Sequence, residues 1–120
     1  MPNMPIGLSG PMVRAIQNGR KTQVRLIWSP IEVFAPGDRL TILWSSCWSF
    51  AATVIVTEVR VQRVQDISYN DVRAEGIEVL HHVGHVLPFR DLWNKLHGPE
   101  AWATNPEVSA LTFVMSEGTH

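Results

Sequence analysis

The sequence contains a single cysteine, Cys47, among its 120 residues. One thiol can form no intramolecular disulfide framework, and it cannot supply the several cysteines of a zinc or iron–sulfur site. No apolar run approaches the roughly 20 residues that a membrane-spanning helix needs. The start of the chain, Met-Pro-Asn-Met-Pro, lacks the basic and apolar segments of a secretory signal. These absences predict a cytoplasmic protein with no membrane, metal or cofactor.

Acidic residues are absent from the first part of the chain. None precedes Glu32, whereas Arg14, Arg20, Lys21 and Arg25 all lie before it. The formal net charge of the whole chain is only -1 at pH 7, which excludes the strongly basic proteins that coat DNA. We therefore expect a local basic patch that can hold one anionic group or a short nucleotide segment.

The length favours one domain over residues 1–120, with residues 1–5 and 116–120 as loose ends. Apolar periodicity, caps and turn residues predict its helices and strands. The predicted helices cover about Pro11–Asn18, Ser68–Gly76 and Phe89–His97, and the predicted strands cover Lys21–Trp28, Arg39–Trp44, Phe50–Val64 and Ser109–Met115. The first helix is expected to be the first regular element, and the third strand is long enough to need a bend or bulge.

This order of elements predicts the fold class. Four or more strands with short helices inserted give too few helices for parallel βαβ winding. We therefore expect an α+β fold, a small and mostly antiparallel β-barrel with short helices packed on it.

Lys21 lies where the first helix ends and a strand begins, between Arg20 and Arg25. The positive charges of these neighbours disfavour the charged form of the lysine amine. A buried lysine in such a place can act as a base or nucleophile. An exposed one is an ordinary solvated turn residue. Both interpretations stay open from the residues alone.

Glu75 directly precedes Gly76 at the end of a predicted short helix. A carboxylate at a helix C-terminus opposes the helix dipole, at a cost of a few tenths up to about 1 kcal/mol. The unfavourable placement predicts a cationic partner such as Lys21 or Arg25. The alternative is an exposed acid that tolerates a weak penalty.

Other side chains carry weaker signals. His81, His82 and His85 form a cluster, but adjacent histidines point apart in regular structure, so we expect a loop rather than a metal site. Cys47 is expected to be incidental rather than catalytic. Trp48 lies in a polar turn, where we expect it to be exposed and able to stack an unpaired base.

The run Gly19–Arg25 resembles the G-x-K-x-x-x-R signature of the ASCH domain family, a branch of the PUA-like fold. Three further landmarks of that family follow in order and cover nearly the whole chain. They are Pro36-Gly37-Asp38 before a strand, the segments Val56–Val59, Asp66–Ser68 and Ala74–Ile77, and Phe89 and Trp93 followed by Asn105-Pro106 and Val108–Val114. The last of these is similar to the short ASCH proteins common in phages and prophages.

The resemblance implies a small β-barrel with a cleft near Gly19–Arg25 that binds RNA or a modified base. Some small ASCH proteins are amidohydrolases that remove the acyl group from acetylcytidine with a lysine, a threonine and a glutamate. The resemblance places that lysine at Lys21 and that glutamate at Glu75, but Val24 occupies the threonine position. Thr22 is the nearby hydroxyl, and on a strand it lies about 7 Å from position 24.

The first hypothesis is therefore an RNA- or nucleotide-binding module with a basic cleft around Lys21. The alternative is an amidohydrolase acting on a modified nucleoside, and a ribonuclease or a purely structural role in a phage setting are further alternatives. The candidate residues are Arg20, Arg25 and Trp48 for binding, and Lys21, Thr22 and Glu75 for catalysis. The first two hypotheses require the Lys21 amine and the Glu75 carboxylate to meet beside a hollow that a ligand can reach.

Overall fold

The computed structural model describes residues 3–29, 33–79 and 84–116. Its helices and strands follow the predicted order, with boundaries that differ by at most three residues for the predicted elements. In chain order they are β1 (Asn3–Leu8), α1 (Gly10–Gln17), β2 (Gln23–Ile27), β3 (Arg39–Trp44), β4 (Ser49–Arg63), a 3₁₀ turn (Val64–Asp66), α2 (Tyr69–Ala74), α3 (Val86–His97) and β5 (Glu107–Met115).

Strand β1 corrects the prediction that α1 is the first regular element and that residues 3–5 are a loose end. Pro5 and Gly7 hide the strand in the sequence, because both residues weaken a strand signal. The structure tolerates Pro5 because β1 is at the edge of the sheet, where β3 is its one neighbour among the described strands. The parallel register places Pro5 opposite Thr41.

The five strands form one sheet in the order β1-β3-β4-β5-β2. The β1–β3 pair is parallel and the other three pairs are antiparallel. The α+β class is confirmed, but the sheet is a curled half-barrel rather than the fully closed barrel expected. One physical reason is that the chain around β2 is paired with the end of α2: Thr22 N donates to Ala74 O at 2.7 Å, and Lys21 bridges to Glu75.

The predicted irregularity in the long third strand is confirmed. Strand β4 runs for 15 residues, and its register against β5 shifts between Val56 and Glu58. Beyond this bulge, Arg60 pairs with Ala110, which pairs in turn with Arg25 of β2. The three residues form one row across three strands, so Arg25 and Arg60 lie on either side of Ala110.

The apolar interior consists of two clusters. One lies between α1 and the strands, with Val13, Leu40 and Leu111 fully buried. The other joins the region of α2 and α3 to β5 and includes Phe89 and Trp93. Among the described residues, every helix is too short or too polar to cross a membrane.

Candidate functional site

The end of α1 fixes the position of Lys21. Gly19 has a φ of 83°, which turns the chain back after the helix. The amides of Arg20 and Lys21 then both donate to Ala15 O, at 2.9 and 3.0 Å. The chain therefore enters β2 with Lys21 held against α1, beside the end of α2.

Gly76 lets the backbone after α2 approach Lys21 closely. Its φ is 91°, a left-handed conformation that suits glycine. A Cβ at this position would lie 3.1 Å from Lys21 Cβ and 3.3 Å from Ala15 Cβ. The glycine thus brings the Glu75 segment against Lys21.

Lys21 and Glu75 form a buried ion pair. The Lys21 side chain is 0% exposed, and its Nζ donates to Glu75 Oε1 at 2.7 Å and to Glu75 O at 3.2 Å. Arg25 Nη1 donates to the other carboxylate oxygen, Oε2, at 2.9 Å. Glu75 therefore lies between the two cations predicted as its partners. The interpretations of Lys21 as a solvated lysine and of Glu75 as an exposed acid are wrong.

A second carboxylate, Asp71, extends this arrangement. Its Oδ1 accepts hydrogen bonds from Gln23 Nε2 at 3.1 Å and Arg60 Nη2 at 3.0 Å. Arg25 Nη2 lies 3.1 Å from Asp71 Oδ2, an ion pair that lacks hydrogen-bond geometry. We call Lys21, Gln23, Arg25, Arg60, Asp71 and Glu75 the ion network. Its buried charges are compensated, since Lys21 and Arg25 oppose Asp71 and Glu75, and the third cation, Arg60, has a side chain that is 38% exposed.

The network determines the ionisation of Asp71. Burial alone would raise the pKa of this carboxyl group, but hydrogen bonds from Arg60 and Gln23 and the charge of Arg25 outweigh burial and lower the pKa below its ordinary value of 3.8. Asp71 is therefore ionised at neutral pH, and its charge stabilises the folded chain.

The lowered pKa of Asp71 predicts a loss of stability in acid. Because the folded-state pKa lies below the unfolded value, the contribution of Asp71 is complete above about pH 4 and is lost as the pH falls through the folded-state pKa. At pH 7 we expect Asp71→Asn to lower the free energy of unfolding by about 2 kcal/mol. The difference in free energy of unfolding between wild type and variant, measured by urea unfolding, should shrink as the pH falls from 4 to 2.

The control for this prediction is Asp91→Asn on α3, where the carboxylate is 72% exposed. It should change the unfolding free energy by less than about 0.5 kcal/mol at either pH. A difference between wild type and Asp71→Asn that stays constant down to pH 2 would show that Asp71 does not titrate as described.

An open cleft lies beside α2, on the outer side of the ion network. It has a volume of about 910 Å³. Its lining residues come from the end of α1 and from both ends of α2: Gly19, Arg20, Tyr69, Asn70, Arg73, Ala74, Gly76, Ile77, Glu78 and Val79. The cleft occurs near the position expected from Gly19–Arg25, but the buried side chains of Lys21 and Arg25 do not line it, contrary to expectation. Its exposed cations are Arg20 and Arg73.

A second, small cavity, which we call the inner cavity, is lined in part by residues of the network. Its volume is about 20 Å³, and Val24, Arg25 and Glu75 line it together with side chains of α1 and α3. Ala74 and Gly76 line the open cleft, whereas Glu75 between them lines the inner cavity. Glu75 lines this cavity, whereas Lys21 lines neither it nor the open cleft. The pair meets as expected, but not at a hollow that a ligand can reach, so a binding function has to rest on the open cleft instead.

The remaining predicted residues lie outside the ion network. Thr22 is exposed, and its backbone rather than its hydroxyl joins the α2 end. Trp48 is 65% exposed as predicted, but it lies in the β3–β4 turn with its indole against Gly7, at the other end of β4 from Arg60. Cys47, in the same turn, is exposed.

Of the histidine cluster, His81 and His82 lie outside the described residues. The ring of His85 forms a hydrogen bond with Ile67 O at 3.2 Å, between Nε2 and the carbonyl oxygen. This contact fixes His85 beside the segment before α2.

Sequence reasoning missed Gln23, Arg60 and Asp71 in the network, and Tyr69 and Arg73 in the cleft. One usable signal is the alternation Lys21, Gln23, Arg25, since three polar residues at a period of two predict one polar face on a strand. Asp71 forms a capping box with Ser68 at the start of α2. Its bonds to Gln23 and Arg60 depend on the tertiary fold.

Comparison with known proteins identifies the fold. No family model matches the sequence, and no curated protein matches it. Among solved structures, protein EF3133 from Enterococcus faecalis, assigned to the DUF984 family, has a TM-score of 0.71 at 15% identity, over 97% of this chain and 77% of that protein.

Two further structures carry ASCH in their names. The ASCH domain from Lactobacillus crispatus has a TM-score of 0.64 at 12% identity, covering 99% of this chain and 81% of that one. A point mutant of ZmASCH from Zymomonas mobilis has a TM-score of 0.61 at 14% identity, covering 95% and 70%. The chain therefore has the ASCH-domain fold, as the sequence motifs predicted.

Proposed function

We propose that this protein binds RNA or a nucleotide in the open cleft beside α2. The observation that carries the proposal is the cleft itself: about 910 Å³ of solvent-reachable space with two arginines on its wall. That volume is within the range of sites that hold a drug-sized ligand, about 300–1,000 Å³. The charged side chains of the lining are Arg20, Arg73 and Glu78, so its net charge is positive and favours an anionic ligand.

The lining also offers groups that recognise bases. Tyr69 presents an aromatic ring, and Arg73 Cζ lies 5.9 Å from the centre of that ring. Tyrosine and arginine planes both stack on unpaired bases. Asn70, exposed beside them, supplies a donor and an acceptor for a base edge. Phosphate and base contacts are therefore available on the same wall.

The ion network supports this wall from behind. Asp71 lies in α2 between Asn70 and Arg73, and its carboxylate is bonded to Gln23 of β2 and Arg60 of β4. Glu75, directly after α2, is bonded to Lys21 and Arg25. A six-residue helix is held by the sheet at two points, which fixes the cleft-lining side chains that it carries.

We expect the wild-type protein to bind a short fluorescein-labelled single-stranded RNA at low salt, measured by fluorescence anisotropy. Each phosphate contact made by an arginine contributes about 0.7 to the slope of log K against log salt for a single strand. Arg20→Ala and Arg73→Ala should each reduce that slope by about this amount. Tyr69→Ala should weaken binding by about 1–3 kcal/mol through lost stacking.

Arg39→Ala is the matched control, since Arg39 is an exposed arginine of β3 outside the cleft. It should leave both the affinity and the salt slope unchanged. No binding by the wild type at low salt, or equal losses in the Arg39 and Arg73 variants, would contradict a specific site in the cleft. Parallel titrations with mononucleotides distinguish a nucleotide ligand from a longer RNA.

The buried pair favours one second candidate, deacylation of a modified cytidine such as acetylcytidine. Lys21 Nζ and Glu75 Oε1 are 2.7 Å apart, and Glu75 lines the inner cavity together with Val24, the threonine position of the resembled enzymes. The candidate predicts release of cytidine from acetylcytidine, raised in Val24→Thr and abolished in Lys21→Met. Hydrolysis that survives Lys21→Met would rule out this assignment.

A further inference from the structure

Four buried side-chain nitrogen atoms have no hydrogen-bond acceptor among the described residues: Arg25 Nε, Arg25 Nη2, Arg60 Nε and Trp93 Nε1. Arg25 Nη2 and Arg60 Nε lie within 4 Å of the carboxylates of Asp71 and Glu58. Within the described ranges, Arg25 Nε and Trp93 Nε1 have no such ion-pair partner. The two residues are only 4% and 2% exposed, so bulk solvent does not reach their side chains freely. Leaving a buried donor without an acceptor is costly, and native structures rarely do so.

Both residues line the same small space, the inner cavity between β2 and α3. Its volume of about 20 Å³ exceeds the 10–15 Å³ that one water molecule requires. The rest of the wall is largely apolar and includes Val24 and Phe89, with His97 at the end of α3. The cavity is therefore large enough for one molecule of the size of water.

The acceptor on the wall identifies the kind of molecule. Glu75 lines the cavity and has capacity left, because a carboxylate offers about four acceptor sites and two hydrogen bonds from side chains reach it. Its negative charge repels an anion. A ligand that fits must accept hydrogen bonds from Arg25 and Trp93 and donate one to Glu75, which water does.

We propose that the inner cavity is a binding site for one water molecule, held by Arg25 Nε, Trp93 Nε1 and the Glu75 carboxylate. Internal waters typically make about three hydrogen bonds to buried polar groups, the number of partners that this site offers. Val24 lines the same cavity. We therefore expect a threonine hydroxyl at position 24 to find a hydrogen-bond partner in it, the bound water. The site does not rest on the deacylation candidate, although a water held there is a source of the attacking oxygen for that reaction.

The test compares two valine-to-threonine variants at buried strand positions. Both valines belong to the same apolar core cluster, Val24 at 4% and Val54 at 0% exposed, but only Val24 also lines the cavity. A buried hydroxyl without a partner costs enough to raise the unfolding equilibrium constant about ten- to a hundredfold. We expect that increase for Val54→Thr, and less than a tenfold increase for Val24→Thr, in urea unfolding.

Equal losses in the two variants would overturn the proposal, because they would show that position 24 offers a hydroxyl no partner. A crystal structure of the wild type supplies the second measurement. We expect one density peak within hydrogen-bond distance of Arg25 Nε and Trp93 Nε1, and an empty cavity would equally overturn the proposal. Neither measurement uses an activity, so the failure of the deacylation candidate leaves the water site untouched.

Discussion

Replacing Glu75 with alanine is expected to lower the free energy of unfolding by about 3–5 kcal/mol, the usual cost of removing one partner from a buried ion pair. The variant leaves the Lys21 amine, 0% exposed, without its carboxylate partner, and removes one acceptor of Arg25. Such a loss is a large share of the 5–15 kcal/mol that stabilises an ordinary domain. Urea unfolding followed by tryptophan fluorescence measures it.

Glu78→Ala is the control, since Glu78 is an exposed acid three positions further on. It should change the free energy of unfolding by less than about 0.5 kcal/mol. A loss below about 1 kcal/mol in Glu75→Ala would mean that Lys21 and Arg25 reach solvent once the carboxylate is gone. The burial of the network as described here would then be incorrect.

Gly76→Ala is expected to lower the free energy of unfolding by about 2–4 kcal/mol. The φ of 91° costs an alanine about 1–2 kcal/mol. The new Cβ would also lie 3.1 Å from Lys21 Cβ, and such overpacking costs about 1–3 kcal/mol more. Thermal and urea unfolding measure the effect.

Gly19→Ala separates the two contributions. Gly19 also has a positive φ, 83°, but a Cβ there would meet nothing within 4 Å among the described residues. We expect this variant to lose only the backbone part, about 1–2 kcal/mol. If the two glycine variants lose the same amount, the close approach of Gly76 to Lys21 does not contribute to stability.

The fold was largely predictable because its signals are local. Caps, turn residues and alternating apolar side chains gave the order of elements from α1 to β5, including the irregularity of β4. Strand β1 has no such signal, since Pro5 and Gly7 interrupt it and its pairing with β3 is non-local. Whether a curled sheet closes into a barrel depends on which segments cover its edge strands. Local sequence patterns do not indicate these contacts.

The site was predictable only in part, for a comparable reason. The unfavourable position of Glu75 at a helix end indicated a cationic partner, and the structure supplies Lys21 and Arg25. The surroundings of Arg25 and Glu75 include residues of α3, with which they share a small cavity although α3 comes from a later part of the chain. The cleft residues Tyr69 and Arg73 carry no signal of their own, because exposed aromatic and basic residues in a short helix are common.

An NMR titration of the isotope-labelled protein with short single-stranded RNA tests most directly whether ligands bind in the cleft. We expect amide shifts at Gly19–Arg20 and along Tyr69–Val79, and little change in Phe89–His97 or at Trp48. Shifts centred on Phe89–His97, or on Trp48 in the β3–β4 turn, with none at Arg73, would contradict the account.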